Sequence, residues 1–371
     1  SMDLAAEDNL RINVLLANKP LAIRIHESSM TLYGLTGERE EVQVKLNPNC
    51  RDEQYLRRVK EMLSGHVLGS PGGYPVYLQR WTRMGQMRDD NLDQLLLLGE
   101  PEAVVAVVCA PGITDELARR AWWAMEDAEN ARRMLMREAV SEGEMGPVLA
   151  EYLVEYLPFE SEIEQMMITV SLVLKPGLIS DALKQELWKR AKRKPAYYVG
   201  FLSACPDDIP EQKAASARYL ELQARLAGIA PKSRIASLLL KVLSPAGQAF
   251  LETVVRVLKK PGTQEMVTAT LDNLAHYFSD MRPGERVDLT LEMLEQDAAS
   301  SMAEPVQAVT EVLEECPDCA DLVEVMYLLS GLGYGVLRPV LRDTTAIGSL
   351  MRRKIEPVMT PLLEKIALLQ P

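Results

Sequence analysis

The spacing of apolar positions changes once along this chain. In the first 80 residues the short segments "LAIRIHES", "MTLYGLT" and "EEVQVKLNP" alternate partly between apolar and polar side chains, with "SS" and "TGER" as turn signals between them. That pattern predicts a small antiparallel meander. In "RDEQYLRRVKEMLSG", by contrast, Tyr55, Leu56, Val59, Met62 and Leu63 fall on one helical face, acids occupy the first turn and Gly65 offers a stop. The Gly- and Pro-dense "GHVLGSPGGYPVY" that follows marks a loop or a boundary. These readings set a small α+β N-terminal domain over residues 1–90 and a helical domain over residues 91–371.

Beyond Asn91 nearly every segment has helical period, and its breaks share a form. "VVAVVCAPGITDEL", "TVSLVLKPGLISDAL" and "VVRVLKKPGTQEM" each run from an apolar helix through Pro-Gly to a Thr or Ser restart. Gly can take the left-handed conformation that ends a helix, Pro cannot continue it, and a side chain such as Thr114 or Ser180 can cap the next one. Pro111, Pro176 and Pro261 lie 65 and 85 residues apart. Two helix pairs per interval give a unit of about 32 to 43 residues, the range of helical repeats. The expected fold is therefore mainly α, an irregular α-solenoid of HEAT-like repeats behind the small α+β domain, with a compact helical bundle as the alternative.

Composition fits that picture. The chain has 371 residues, 47% apolar and only 5% aromatic, enough to bury a substantial core through Leu, Ala, Val and Met stacking. Its longest charge-free apolar stretches, Ala103 to Thr114 and Val325 to Leu337, fall short of the roughly 20 residues needed to cross a bilayer and predict buried helices. Ser1 ahead of Met2 reads as a cloning remnant, and the following "MDLAAEDNLRINVLLANKP" lacks the regions of a signal peptide, so a cytoplasmic protein without membrane insertion is expected. Five scattered cysteines, at positions 50, 109, 205, 316 and 319, argue against a disulfide framework.

Charge narrows the partners. The net charge is −12, and between Glu285 and Glu324 twelve acidic residues face one basic residue, Arg286. A chain this acidic is not a general nucleic-acid binder. Two basic islands oppose it: Arg80, Arg83 and Arg88 in "YLQRWTRMGQMR", and Lys189, Arg190, Lys192, Arg193 and Lys194 in "LWKRAKRKPAYY". Positive charge in the last turn of a helix ended by Pro195 suits the helix dipole. The sharper reading makes residues 189–198 a docking patch for an acidic protein or for RNA or DNA, with Tyr197 and Tyr198 stacking on bases.

The one cysteine motif, Cys316-Pro-Asp-Cys319 in "EECPDCADL", sits where one helical pattern ends and another begins. A thiol at a helix start has a depressed pKa, and a second thiol three residues on can resolve a mixed disulfide, so a redox or persulfide-carrying role is one reading. Against it stand the helices on both sides, the surrounding acids Glu314, Glu315, Asp318 and Asp321, and the near-copy "SACPDDIPE" at Cys205 with Asp208 in place of the second cysteine. The plainer reading is a structural idiom that starts a helix. Zinc would want a second pair or nearby histidines, and His26, His66 and His276 are scattered. His66 in its glycine-rich stretch matches neither a P-loop nor a G-x-G-x-x-G turn, and no G-x-S-x-G or H-E-x-x-H is present. Trp122 and Trp123, with Met125, Met134 and Met136, read as core, and the arginines around them as helix-surface pairs. No cofactor is implied.

The stretches "LSGHVLGSPGGYPVYLQRWTRMGQMRD" and "LLLLGEPEAVVAVVCAPGITDELARRAWWAMEDAENARRML" resemble the DsrS family of sulfur reduction proteins, encoded with the reverse-acting dissimilatory sulfite reductase system of sulfur-oxidising bacteria. The likeness spans nearly the whole chain and is clearest over residues 52–160. It implies a cytoplasmic accessory or regulatory role in oxidising stored sulfur, and brings no catalytic motif or cofactor with it. Three functions follow as expectations: a non-enzymatic scaffold for a protein of that machinery, a thiol-based sulfur carrier using Cys316 and Cys319, or local RNA or DNA binding through residues 189–198.

Overall fold

The three alternating segments pair into one antiparallel sheet, β1 (Ala22–His26), β2 (Thr31–Leu35) and β3 (Glu41–Lys45), in the order β1-β2-β3. Register runs from Ala22 opposite Leu35 to His26 opposite Thr31, and from Thr31 opposite Lys45 to Leu35 opposite Glu41. The computed structural model describes residues 3–37, 39–69, 91–284, 288–342 and 344–371. Two helices flank the sheet: α1 (Ala6–Ala17), which the sequence reading leaves unassigned, and α2 (Asp52–Leu68). Ile12, Leu15 and Leu16 of α1 join Ile23, Leu32, Val44, Tyr55, Leu56, Val59 and Leu63 in one buried cluster. Inside it the fully buried Asp8 accepts hydrogen bonds from the Asn47 backbone N–H (2.7 Å), Asn47 Nδ2 (2.9 Å) and the Tyr55 hydroxyl. A buried carboxylate is tolerable only with donors like these.

Helix α2 runs past the expected stop at Gly65. It ends at Gly69, whose φ of 62° is the left-handed cap geometry and whose N–H bonds to the Gly65 carbonyl. His66 is therefore a residue of the last helical turn, not of a loop. The boundary expected near residue 90 and the island of Arg80, Arg83 and Arg88 lie outside the described residues.

The chain divides into two compact units, Ser1–Tyr156 with Pro176–Ile179, and Leu157–Lys175 with Ser180–Pro371. The first adds to its sheet the helices α3 (Pro101–Cys109), α4 (Asp115–Ala124), α5 (Ala128–Leu135) and α6 (Met145–Tyr156). Arg24 of β1 ties α4 to the sheet. Its guanidinium lies over the Tyr33 and Trp123 rings, at 4.9 and 4.5 Å, and donates to the Trp123 carbonyl at 2.9 Å. Trp122 turns inward and meets Tyr152 of α6 edge-on at 4.8 Å. The tryptophan pair thus serves packing; Met134 is buried as expected, whereas Met136 is exposed and not part of the core.

Among the described residues the second unit has no strand, and its longer helices are α7 (Ile163–Val173), α8 (Asp181–Arg190), α9 (Ala196–Ala204), α10 (Tyr219–Leu226), α11 (Arg234–Leu243), α12 (Pro245–Lys259), α13 (Gln264–Tyr277), α14 (Leu291–Ala303), α15 (Gln307–Glu315), α16 (Ala320–Ser330) and α17 (Gly348–Ala367). Near neighbours stack, α7 on α9, α9 on α12 and α13, α14 on α16, in a repeat-like manner. The irregularity comes from long-range packing of α12 on α17 and of α11 on α15. Gly200 lets α7 and α9 approach closely, since a Cβ there would lie 2.6 Å from Val170 Cβ.

The expected caps are in place. Thr114 and Ser180 accept from the N–H groups of Leu117 and Leu183 at 3.1 Å, and Thr263 accepts from Met266 at 3.3 Å. Five of the stops share a second feature. Cys205, Lys260, Arg282, Glu304 and Cys316 each precede a proline, and each has φ between −127° and −145° with ψ between 61° and 81°. A following proline expels its predecessor from the helical region; Ala110 before Pro111 and Ser244 before Pro245 leave it by another route, extended at φ −69°, ψ 131° and φ −68°, ψ 165°. Among the described residues no single helix is long and apolar enough to cross a membrane; α11 and α12 are apolar together but bent by 70° at Ser244, and their apolar side chains are mostly buried.

Candidate functional site

Cys316 and Cys319 come together with no exposed surface on either residue. Cys316 ends α15 with its N–H on the Val312 carbonyl, and residues 317–319 form a single 3-10 turn that leads into α16. The Cys319 thiol donates to the Cys316 carbonyl (2.9 Å), and the Cys316 thiol donates to Asp318 Oδ1 (3.4 Å). Burial pushes the Cys319 thiol up to about 12, with the adjacent Cys316 adding to the rise, and burial also pushes the Cys316 thiol up. Both thiols are reduced, inward-facing and held in the protonated form, which opposes nucleophilic or sulfur-carrying chemistry in this conformation.

Two arginines on one side of α10 hold the turn from outside. Arg225 pairs with Asp318 at 2.8 Å, and Arg218 donates to the Asp318 carbonyl at 2.9 Å and faces Asp321 at 3.6 Å. The related turn at Cys205 repeats this plan. Cys205 bonds back to the Phe201 carbonyl, burial pushes its thiol up to about 11, and Asp207 and Asp208 pair with Lys241 (3.1 Å) and Lys184 (2.7 Å). In both places Cys-Pro-Asp is a helix stop whose aspartate meets a cation from another helix. The idiom ends one helix more than it starts the next.

The acidic block finds its partners in the same way. Asp288 pairs with Arg338 (2.6 Å), Asp297 with Arg282 (2.8 Å), and Asp318 with Arg225, so several of its charges are met within the unit.

The basic run divides by position. Lys189 and Arg190 end α8, and Lys192, Arg193 and Lys194 stand exposed in the turn before α9. Arg190 pairs with Glu186 at 3.4 Å. Tyr197 and Tyr198, the expected stacking platforms, are only 2% and 4% exposed. Trp188 meets the Tyr198 ring at 5.0 Å and Arg256 lies over it at 5.1 Å, so those faces are occupied by protein and offer no surface for a base.

What the sequence reading missed is a groove of about 450 Å³ within the second unit. One wall is Glu164, Met167, Ile168 and Ser171 of α7; the other is Glu265, Thr268, Ala269 and Asp272 of α13. Both stripes follow the spacing i, i+3, i+4, i+7, one face of a helix over two turns. Val199 and Ser203 of α9 lie between them, Gln264 closes one side, and the 40%-exposed Tyr334 stands at the edge. Met167 and Val199 make an apolar floor, both buried. Gln264 is fixed by Nε2 bonds of 3.0 Å to the Thr344 and Ala346 carbonyls, and Ser203 donates to Asn273 Oδ1 or the Val199 carbonyl, each at 3.1 Å. None of the described lining residues is basic. The signal was the paired stripes themselves, but their mix of Glu, Thr, Ala, Ser and Met reads as an ordinary half-buried helix face until both are seen to border one depression.

Among the described residues no three His, Cys, Asp or Glu side chains converge as metal ligands would. Compared with protein-family models, with curated proteins and with solved structures, the chain matches none.

Proposed function

We propose that this is a non-catalytic interaction protein that receives a segment of a partner protein in the groove between α7, α9 and α13. The carrying observation is that groove: two facing helical stripes with an apolar floor, held by fixed side chains, in a helical-repeat-like unit of the kind that presents binding surfaces. The sequence resemblance to the DsrS family supplies the setting, a cytoplasmic accessory or regulatory role in dissimilatory sulfur oxidation, with the partner a component of that machinery. The buried thiols favour this reading over sulfur carriage, and the buried tyrosines favour it over nucleic-acid binding.

The test is affinity capture at physiological salt from a lysate of sulfur-grown cells, comparing the wild-type chain with Ala269→Trp, which fills the groove. The expected result is a sulfur-oxidation protein, identified by mass spectrometry, held by the wild type and lost by the variant while circular dichroism stays unchanged. Equal retention by both chains, or retention of nothing, counts against the reading.

A further inference from the structure

The N-terminal sheet carries an inference independent of the groove. We infer that two copies of this chain join their sheets edge to edge through β3, antiparallel about a two-fold axis at Gln43, which puts Glu41 of each copy opposite Lys45 of the other. β1 and β3 are the two edges of the sheet. The edge at β1 is engaged, since the Ile23 N–H donates to the Leu96 carbonyl at 2.8 Å. The edge at β3 has no such cover among the described residues, and Glu41, Gln43 and Lys45 along it are all exposed.

Backbone parity decides which groups are open. The Thr36 N–H donates to the Glu40 carbonyl and the Leu46 N–H to the Met30 carbonyl, both at 2.8 Å, so the even-numbered residues of this strand bond inward to β2. Bonding direction alternates along an antiparallel ladder, and Glu41, Gln43 and Lys45 therefore aim their N–H and C=O groups outward. Such a row is a template for another strand. Pairing about Gln43 sets odd-numbered residues opposite odd-numbered ones, so the outward N–H groups of each copy reach the outward carbonyls of the other.

Charge selects the register. Centred on Gln43, Glu41 meets Lys45 of the other copy, twice by symmetry, and opposite charges directly across a strand pair attract. Centred on Val42, Lys45 would face Arg39; centred on Val44, it would face Gln43, and no ion pair would form. Arg24 of β1 donates to Glu41 Oε2 at 3.2 Å and so holds that carboxylate on the sheet face it shares with Lys45.

The apolar face agrees. Val44 is 3% exposed and Val42 is 43% exposed. In this register Val42 lies opposite Val44 of the other copy, which covers it. Helix α1 leaves room for the contact. Asp8 in its first turn holds Asn47, just past β3, and its far end leads into β1, so it crosses the sheet and stands over the open edge at the Lys45 end. The two-fold axis carries the other α1 to the opposite end. The interface is small and the charge of −12 on each copy opposes it, so the dimer is a weak one.

The experiment is sedimentation velocity on the full chain from roughly 5 to 500 µM, at about 0.15 M salt to screen distant charges. The wild type is expected to pass from monomer to dimer within that range. Glu41→Lys and Lys45→Glu each set like charges opposite one another and are expected to raise the dissociation constant about tenfold or more. Glu41→Lys also lowers the net negative charge, so weakening there is not general repulsion. An equimolar mixture of the two variants is expected to recover dimers, because the added lysine then faces the added glutamate; recovery also shows that both variants fold. In the wild type, amide exchange followed by NMR is expected to slow at Glu41, Gln43 and Lys45 as concentration rises, and to stay constant at Val42 and Val44. A wild type that stays monomeric, variants that dimerise as it does, a mixture no stronger than its components, or slowed exchange confined to other residues overturns the inference.

Discussion

At the scale of single residues, the thiols show how burial overrides a motif. Cys109 is exposed, whereas Cys316 and Cys319 are buried and pushed toward the neutral form. Iodoacetamide at about pH 8 should therefore label the exposed Cys109 in the native protein and reach Cys316 and Cys319 only in denaturant, as peptide mass mapping would show. A pH dependence follows. Native Cys319 keeps its proton to about 12 and Cys205 to about 11, while the unfolded chain loses both nearer the ordinary thiol range. Between those limits the native state binds more protons than the unfolded one, so stability falls as pH rises. Denaturant titrations from about pH 8 to about pH 11 should show this decline, and Cys319→Ala should make it shallower; an unchanged slope would contradict the assignment.

At the scale of elements, punctuation proved more legible than chemistry. The Pro-Gly breaks, the restart residues Thr114, Ser180 and Thr263 and the three strands could be read directly, because a missing donor, a side-chain cap and a period of two are local properties. Helix α1 escaped because Leu10 and Val14 point outward, 64% and 54% exposed, and blur the stripe formed by Ile12, Leu15 and Leu16. Gly65 looked like a stop since glycine is a poor helix former, yet Leu63 and Ser64 beside it are buried and packing carried the helix to Gly69. The groove was not legible from either stripe alone: α7 and α13 are about a hundred residues apart in sequence, and nothing local says that their half-polar faces border one depression. The caps themselves can be weighed. Thr263→Ala should cost about 1 kcal/mol in chemical denaturation and loosen the Gln264 end of the groove.

At the scale of the molecule, the acidic composition ceases to look like a signal for a basic partner everywhere. Four of the twelve acids between residues 285 and 324, Asp288, Asp297, Asp318 and Asp321, face Arg338, Arg282, Arg225 and Arg218, and the exposed pairs among them orient helices more than they stabilise them. The helical unit is closed by a polar pin. Gln248 Nε2 donates to the Val242 and Leu369 carbonyls, both at 2.9 Å, and so joins the start of α12 to the chain just after α17. Gln248→Ala leaves two carbonyls without this donor, and an expected loss of about 2 kcal/mol should come with faster amide exchange across residues 348–369 than across α7 and α9.

That closure has a consequence for how the protein is made. Helix α12 leaves the ribosome well before α17, the element that later covers it, and synthesis at roughly 5–20 residues per second leaves it waiting for several seconds. Through that interval its apolar side chains on the α17 side lie open to other nascent chains. Chaperone supply and translation speed, not final stability alone, should then set how much of this protein a cell obtains.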